Sequence, residues 1–89
     1  MERKIRIKVR LILYHRGKIL LLKQTKPHGG NYTLVGGTME AEEYAKETLI
    51  RESFEEAGIK LRPADLILVH VLQKNKPSER RITLYFKAY

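Results

Sequence analysis

The feature that most restricts the fold is a single segment of helical periodicity with strand-like segments on both sides. From about Glu42 to Ala57, apolar residues recur at helical spacing, and Ile50, Phe54 and Ala57 are predicted to face the core. Glutamates crowd the first turn, which suits the helix dipole, and Gly58 suits the C-terminal cap. One helix among several strands predicts a mixed α/β (α+β) domain built around that helix.

The predicted strands lie on both sides of this helix. Residues 4–13 alternate between apolar and basic side chains, which is typical of a half-buried strand. Glycine, proline and polar residues separate the other apolar runs. The remaining predicted elements are, in chain order, a turn at 15–18, a strand at 19–22, a loop at 25–31, a strand at 32–35, a break at Gly36-Gly37, a buried strand at 66–72, a polar loop at 74–78 and a final strand at 82–87.

Length and composition limit the class of protein. The 89 residues suffice for one domain, predicted over 1–89. The absence of cysteine excludes disulfides, cysteine-ligated zinc and a thiol nucleophile. No apolar run approaches the roughly 18 residues that a membrane span needs, and the N-terminus does not resemble a signal peptide. We therefore expect a soluble, cytoplasmic domain with no membrane partner.

The net charge of +8 is unevenly distributed along the chain. Residues 31–59 carry seven glutamates, whereas both flanking segments are strongly basic. Basic flanks favour a polyanionic partner such as a nucleotide or a nucleic acid. Because an acidic segment would repel that partner, bridging cations are expected, which is a first indication of a metal–phosphate site.

Three carboxylates lie within one turn of the predicted helix. Glu52, Glu55 and Glu56 are spaced i, i+3 and i+4, which places them on one side. Mg²⁺ commonly binds one or two carboxylates together with substrate phosphates. Spacing alone leaves two interpretations open, a metal site and a solvated glutamate-rich face.

The residues around these glutamates form an extended motif that resembles the Nudix box. The family pattern is Gly, five residues, Glu, seven residues, Arg-Glu, an apolar residue, one residue, Glu-Glu, one residue, Gly and an apolar residue. The matching positions are Gly37, Glu43, Arg51, Glu52, Glu55, Glu56, Gly58 and Ile59. The preceding segment 32–37 is similar to the family's lead-in. Ser53 departs from the pattern, since a bulky apolar residue is usual there.

The resemblance implies a Nudix-type mixed β-sheet packed on the glutamate-rich helix, and a set of site roles. Glu52 and Glu56 would be the main ligands of Mg²⁺, or of Mn²⁺ as the alternative ion. Glu55 would assist, and the backbone carbonyl of Gly37 would complete the protein ligands. Arg51 would hold Glu43 or a neighbouring glutamate in a bidentate pair. Glu52 and Glu43 both remain candidates for the general base.

The implied activity is Mg²⁺-dependent hydrolysis of a nucleoside diphosphate linked to another group, by water attack at phosphorus. The expected substrates are (d)NTPs, including oxidised ones, followed by ADP-ribose or dinucleotides. The alternative is a non-catalytic nucleotide- or RNA-binding module on the same scaffold, so RNA is a less favoured partner.

Family members usually continue beyond the position of Tyr89 with another helix and more strand. We therefore expect a domain that is short at its C-terminus. In such a domain the strand over 82–89 would be an unprotected edge of the sheet, and exposed edge strands pair with strands of other molecules. This predicts a homodimer.

Other candidate site residues lie outside the box. Lys23 and Gly36 are candidate substrate contacts, although a plain surface loop is the simpler interpretation near Lys23. The basic side chains of the first strand form either a solvated sheet face or a phosphate-contacting stripe. These side chains are Lys4, Arg6, Lys8 and Arg10.

Overall fold

The protein folds as one mixed β-sheet with a single α-helix packed on one face. The structure is a computed structural model and describes residues 4–89 apart from the side chain of His28. Two short 3₁₀ turns, Lys26–His28 and Pro63–Asp65, lie in the connections. The elements are β1 (Lys4–His15), β2 (Lys18–Ile19), β3 (Leu22–Lys23), β4 (Tyr32–Thr33), β5 (Val35–Thr38), α1 (Ala45–Ala57), β6 (Ile67–Asn75) and β7 (Glu79–Ala88).

Strands β1 and β7 form the centre of the sheet. They pair in parallel from Lys4 opposite Glu79 to Leu13 opposite Ala88. Because β7 covers one edge of β1, the antiparallel partners β5 and β2 share the other edge. Strand β6 pairs antiparallel with the outer edge of β7, and β3 and β4 form a separate two-stranded ladder. The predicted mixed sheet packed on a helix is confirmed.

The core lies between α1 and one face of the sheet. The alternation predicted for the first strand is confirmed at its centre, where Val9 and Leu11 are fully buried. Nearer the start of β1, Ile5 is 67% exposed, since the helix does not extend over it. The buried residues of the core are Val9, Leu11, Val35, Leu49, Leu66, Phe86 and Ala88.

The helix begins at Ala45, three residues later than predicted, and ends at Ala57. Gly58 caps it in the left-handed conformation, with φ +67°, as the sequence suggested. Ile50 and Ala57 pack against the core, but the prediction that Phe54 faces it is wrong, because Phe54 is 55% exposed. The buried stripe is centred instead on Leu49 and Ser53, four residues apart.

The buried stripe includes a serine, Ser53. Its side chain is fully buried at the position where the family usually has a bulky apolar residue. A serine there lets α1 lie close to the sheet. Its hydroxyl has no hydrogen-bond partner within residues 4–89.

Two local predictions before the helix are wrong. Gly36 and Gly37 do not break regular structure but pair with Arg10 and Val9 inside β5. The predicted strand over 19–22 is divided between β2 and β3, which pair with different partners.

The strand assignments after the helix need three corrections. The segment 66–72 was predicted as a buried strand, yet all nine residues of β6 are exposed. Pairing continues to Asn75, so the predicted loop at 74–78 is shorter. The final strand is not an edge, because β7 lies between β1 and β6. Strand β6 forms the open edge of the sheet on the side of β7. The helix α1 does not cover β6, since α1 packs mainly on β5 and β1.

Candidate active site

The candidate site is built where α1 crosses strand β5. The helix start is fixed by the Tyr44 N–H, which donates a hydrogen bond of 2.8 Å to Glu47 Oε1. From this start, Glu56 reaches β5, where it accepts a hydrogen bond from the Gly36 N–H, and Arg51 reaches Glu43 in the segment before the helix. The glutamates of the motif are therefore positioned by the packing of a single helix on a single strand.

Arg51 and Glu43 form a bidentate ion pair. Arg51 Nε donates to Glu43 Oε2 at 2.8 Å and Nη2 donates to Oε1 at 3.0 Å. The Arg51 guanidinium, with smaller contributions from the Glu40 N–H and the Thr48 hydroxyl, lowers the pKa of Glu43 from 4.5 to about 2. Glu43 in turn raises the pKa of Arg51 further above its already high value. This pair fixes the segment before the helix to its second turn.

Thr48 is a site residue that the sequence analysis missed. Its side chain is fully buried, and its hydroxyl donates to Glu43 Oε1 at 2.9 Å. The sequence separation could have indicated this residue, because Thr48 lies three residues before Arg51 on the same helical face.

Glu52 is held between Arg51 and the backbone of Gly37. Arg51 Nη1 donates to Glu52 Oε1 at 2.7 Å, and the Glu52 side chain is only 18% exposed. A Cβ placed on Gly37 would lie 2.7 Å from the carboxyl carbon of Glu52. The absence of a side chain at Gly37 therefore leaves the space that this carboxylate occupies.

Glu56 lies against the neighbouring glycine. The Gly36 N–H donates to Glu56 Oε1 at 2.9 Å. Burial raises the pKa of Glu56, and the like charges of Glu52 and Glu55 raise it further, whereas the Gly36 N–H and Arg10 oppose the rise. Glu55 is more open: its side chain is 56% exposed and accepts from Arg51 Nη1 at 3.3 Å.

These contacts bring two of the predicted carboxylates, Glu52 and Glu56, against the Gly36-Gly37 backbone, whereas Glu43 pairs with Arg51 and Glu55 remains exposed. Within residues 4–89, no three acidic or histidine side chains already enclose a position for an ion. Arg51 and the Gly36 N–H instead hold Glu52 and Glu56 in place. The donor set nevertheless fits a hard divalent cation, because the carboxylates of Glu52 and Glu56, whose charges repel, lie beside two glycines that carry no side chains of their own.

A cleft of about 360 Å³ opens beside Glu56. Lys23 lines it, and its ammonium lies 5.9 Å from the ring centroid of Tyr32 on the paired strand. Arg10 lines the same cleft, and Arg10 Nη1 donates to the Leu34 carbonyl at 3.4 Å. Lys23 thus shares a cleft with Glu56, to which the Gly36 N–H donates, and the structure adds Arg10 to these residues.

The family comparison agrees with this fold. The model of the NUDIX domain matches residues 4–89, so the chain belongs to the NUDIX domain family. A comparison with curated proteins finds no match. Among residues 4–89, no helix has the length and apolar character that crossing a membrane requires.

Solved structures share the fold over nearly the whole chain. A MutT protein from Methanosarcina mazei is 26% identical, with a TM-score of 0.82, and the match covers 100% of this chain and 66% of that protein. A MutT NUDIX hydrolase from Burkholderia pseudomallei is 25% identical, with a TM-score of 0.81 and coverage of 98% and 68%. The ORF135 protein of E. coli shares the fold at 24% identity, with a TM-score of 0.82 and coverage of 97% and 61%. The chain thus spans about two thirds of the length of these proteins.

Proposed function

We propose that this chain is a Mg²⁺-dependent hydrolase of nucleoside diphosphates linked to another group, with (d)NTPs as its first substrates. The observation that carries the proposal is that Glu52 and Glu56 lie against the Gly36-Gly37 backbone, and that Glu56 also lines a cleft together with Arg10 and Lys23. Hydrolysis of a phosphate anhydride requires carboxylates that bind a metal ion and, next to them, basic side chains that bind phosphate.

The residues that would hold the cation are Glu52 and Glu56, with Glu55 and the carbonyl of Gly37 assisting. Bound there, Mg²⁺, or Mn²⁺ in its place, would neutralise phosphate oxygens and lower the pKa of a water molecule. Arg10 and Lys23 would orient the anionic chain of the substrate from the other side of the cleft.

The contacts favour Glu52 over Glu43 as the general base. Both oxygens of Glu43 accept hydrogen bonds from Arg51, and its pKa of about 2 makes it a weak proton acceptor. Arg51 engages one oxygen of Glu52, so the other oxygen would serve both the cation and the proton of an attacking water. In this proposal Glu43 is a positioning residue, which orients Arg51 and through it Glu52.

Two structural relatives, which are similar to this chain in fold, support the inclusion of ADP-ribose among the candidate substrates. An ADP-ribose pyrophosphatase from Streptococcus suis is 22% identical with a TM-score of 0.62. The NUDIX domain of Shewanella oneidensis NrtR, 20% identical with a TM-score of 0.70, was solved with ADP ribose. ADP-ribose is therefore the second substrate to test after the (d)NTPs.

The test is incubation of the purified chain with Mg²⁺ and a panel of (d)NTPs, oxidised dNTPs, ADP-ribose and dinucleotides, with products identified by chromatography. We expect Glu56→Gln to lower turnover by about a hundredfold, because it removes a charged ligand but keeps the shape. Glu42→Gln, which changes an exposed glutamate in the segment before the helix, is the matched control and should retain activity. Full activity of Glu56→Gln would contradict the site assignment. No turnover by the native chain would instead favour the non-catalytic binding module.

A further inference from the structure

The sheet face opposite α1 carries a concentration of basic side chains. Val9 and Leu11 face the helix, so the even-numbered residues of β1 face the other way. The register places Arg6 of β1 beside Arg81 of β7, and Arg81 beside Lys74 of β6. We call this surface the basic face and define it by Arg6, Lys8, Arg10, Lys74 and Arg81.

The charges of the basic face are poorly neutralised within the part of the chain that the structure describes. Arg81 pairs with Glu79 at 3.0 Å, but no ion pair there joins Arg6, Lys8, Arg10 or Lys74 to a carboxylate. Burial lowers the pKa of Lys8, and the neighbouring charges of Arg81, Arg10 and Arg6 lower it further, whereas Glu79 opposes the change. Mutually repelling cations on an accessible sheet face are stabilised when a polyanion binds.

Aromatic rings lie beside these cations on the same face. Tyr85 is opposite Arg10 in the β1–β7 register, and His70 is opposite Tyr85 on β6. The His70 and Tyr85 rings are 5.7 Å apart with an interplanar angle of 51°. Cations that follow a phosphate backbone, together with rings on which bases stack, are the features of surfaces that bind single strands.

We propose that the basic face binds single-stranded nucleic acid, with phosphates along β1 and a base stacked on Tyr85. From Arg6 to Arg10 the surface extends about 13 Å along the strand, and the three strands extend about 10 Å across it. Arg10 joins the basic face to the cleft beside Glu56, so a bound strand would lead into the candidate active site. This inference goes beyond the proposed hydrolysis and does not depend on it.

The first test measures binding of a fluorescein-labelled single-stranded oligouridylate by anisotropy, in EDTA and over a series of salt concentrations. For Lys8→Gln combined with Lys74→Gln, we expect the slope of log K against log salt to fall by about 1.4, which is about 0.7 for each of two lost contacts. The control is Lys18→Gln combined with Lys60→Gln, two exposed cations off this face with the same change in net charge. Equal slopes for the two double variants would overturn the proposal.

A second variant tests the stacking. Tyr85→Leu should weaken binding by about fivefold to a hundredfold, which is the range for loss of one base–aromatic stack. Tyr44→Leu, which changes an exposed tyrosine at the helix start, should bind as the native chain does. Duplex binding as tight as that of the single strand, or unchanged binding by Tyr85→Leu, would show a non-specific polyanion surface and overturn the proposal.

The outcome is separable from that of the hydrolysis assay. Binding is measured in EDTA, so its outcome does not depend on a bound metal ion. Failure to bind would overturn this inference and leave the proposed hydrolysis unaffected.

Discussion

At the scale of single residues, the two glycines of β5 perform different tasks although they are adjacent. A Cβ on Gly36 would collide with the Val9 carbonyl oxygen in the paired strand, which is backbone and cannot move freely. A Cβ on Gly37 would instead meet the carboxylate of Glu52, the mobile end of a side chain. Gly36 therefore maintains strand pairing, whereas Gly37 keeps a carboxylate in position.

This difference predicts that the same substitution lowers stability at one glycine and turnover at the other. Gly36→Ala should lower the free energy of unfolding by about 2 kcal/mol or more, since the β1–β5 pairing must open. Gly37→Ala should change stability little but lower turnover by about tenfold to a hundredfold, because Glu52 is displaced. Urea denaturation and the nucleotide assay, performed on both variants, measure the two effects. A Gly37→Ala protein that is destabilised as much as Gly36→Ala would contradict this division.

The Arg51–Glu43 pair gives a residue-scale prediction for pH. The pKa of Glu43 is about 2 in the folded chain and 4.5 ordinarily, so folding favours its ionised form. The stability that it contributes is therefore complete above pH 4.5 and decreases as the pH falls from there towards 2. The melting temperature of the native chain should exceed that of Glu43→Gln at pH 6, and the difference should shrink by pH 3. Measuring both proteins in EDTA removes any contribution of metal, and a constant difference would refute the assignment.

At the scale of elements, Ser53 shows what helical periodicity alone could not reveal. The spacing of Ile50, Phe54 and Ala57 predicted one face of the helix, but the buried face is rotated so that a serine lies in the core. Periodicity gives an apolar stripe, whereas the packing of α1 on the sheet decides which face of the helix is buried. The helix, its cap and the carboxylate spacing were predictable because they depend on local sequence. The rotation depends on contacts with a strand that is distant in sequence.

The buried serine predicts a stabilising substitution. The Ser53 hydroxyl is fully buried without a hydrogen-bond partner in residues 4–89, so its desolvation is uncompensated. Ser53→Ala should raise the free energy of unfolding by about 1 kcal/mol, since it removes that hydroxyl and improves helix propensity. Thermal or urea unfolding measures the change. Destabilisation of similar size would indicate that the hydroxyl has a partner and that the packing argument fails.

At the scale of the whole molecule, strand order was the part of the fold that the sequence left open. Runs of alternating residues predicted that β1 and β7 are strands, but they carry no information on which strands are neighbours. The β1–β7 pairing joins residues more than 70 positions apart. This pairing places the last strand at the centre and leaves β6 at the edge. The same pairing assembles the basic face, whose members come from three strands.

Because β6 and not the last strand forms this open edge, we expect self-association through β6. Its nine residues are exposed, and its apolar side chains lie on both faces of the sheet. A long apolar edge is a template for pairing with a second copy.

We expect a concentration-dependent dimer by sedimentation velocity, and Val71→Lys on β6 should suppress it. Ile19→Lys is the matched control, because Ile19 is similarly exposed but lies in the two-residue strand β2. A native chain that remains monomeric at high concentration, or equal effects of the two lysines, would exclude pairing through β6.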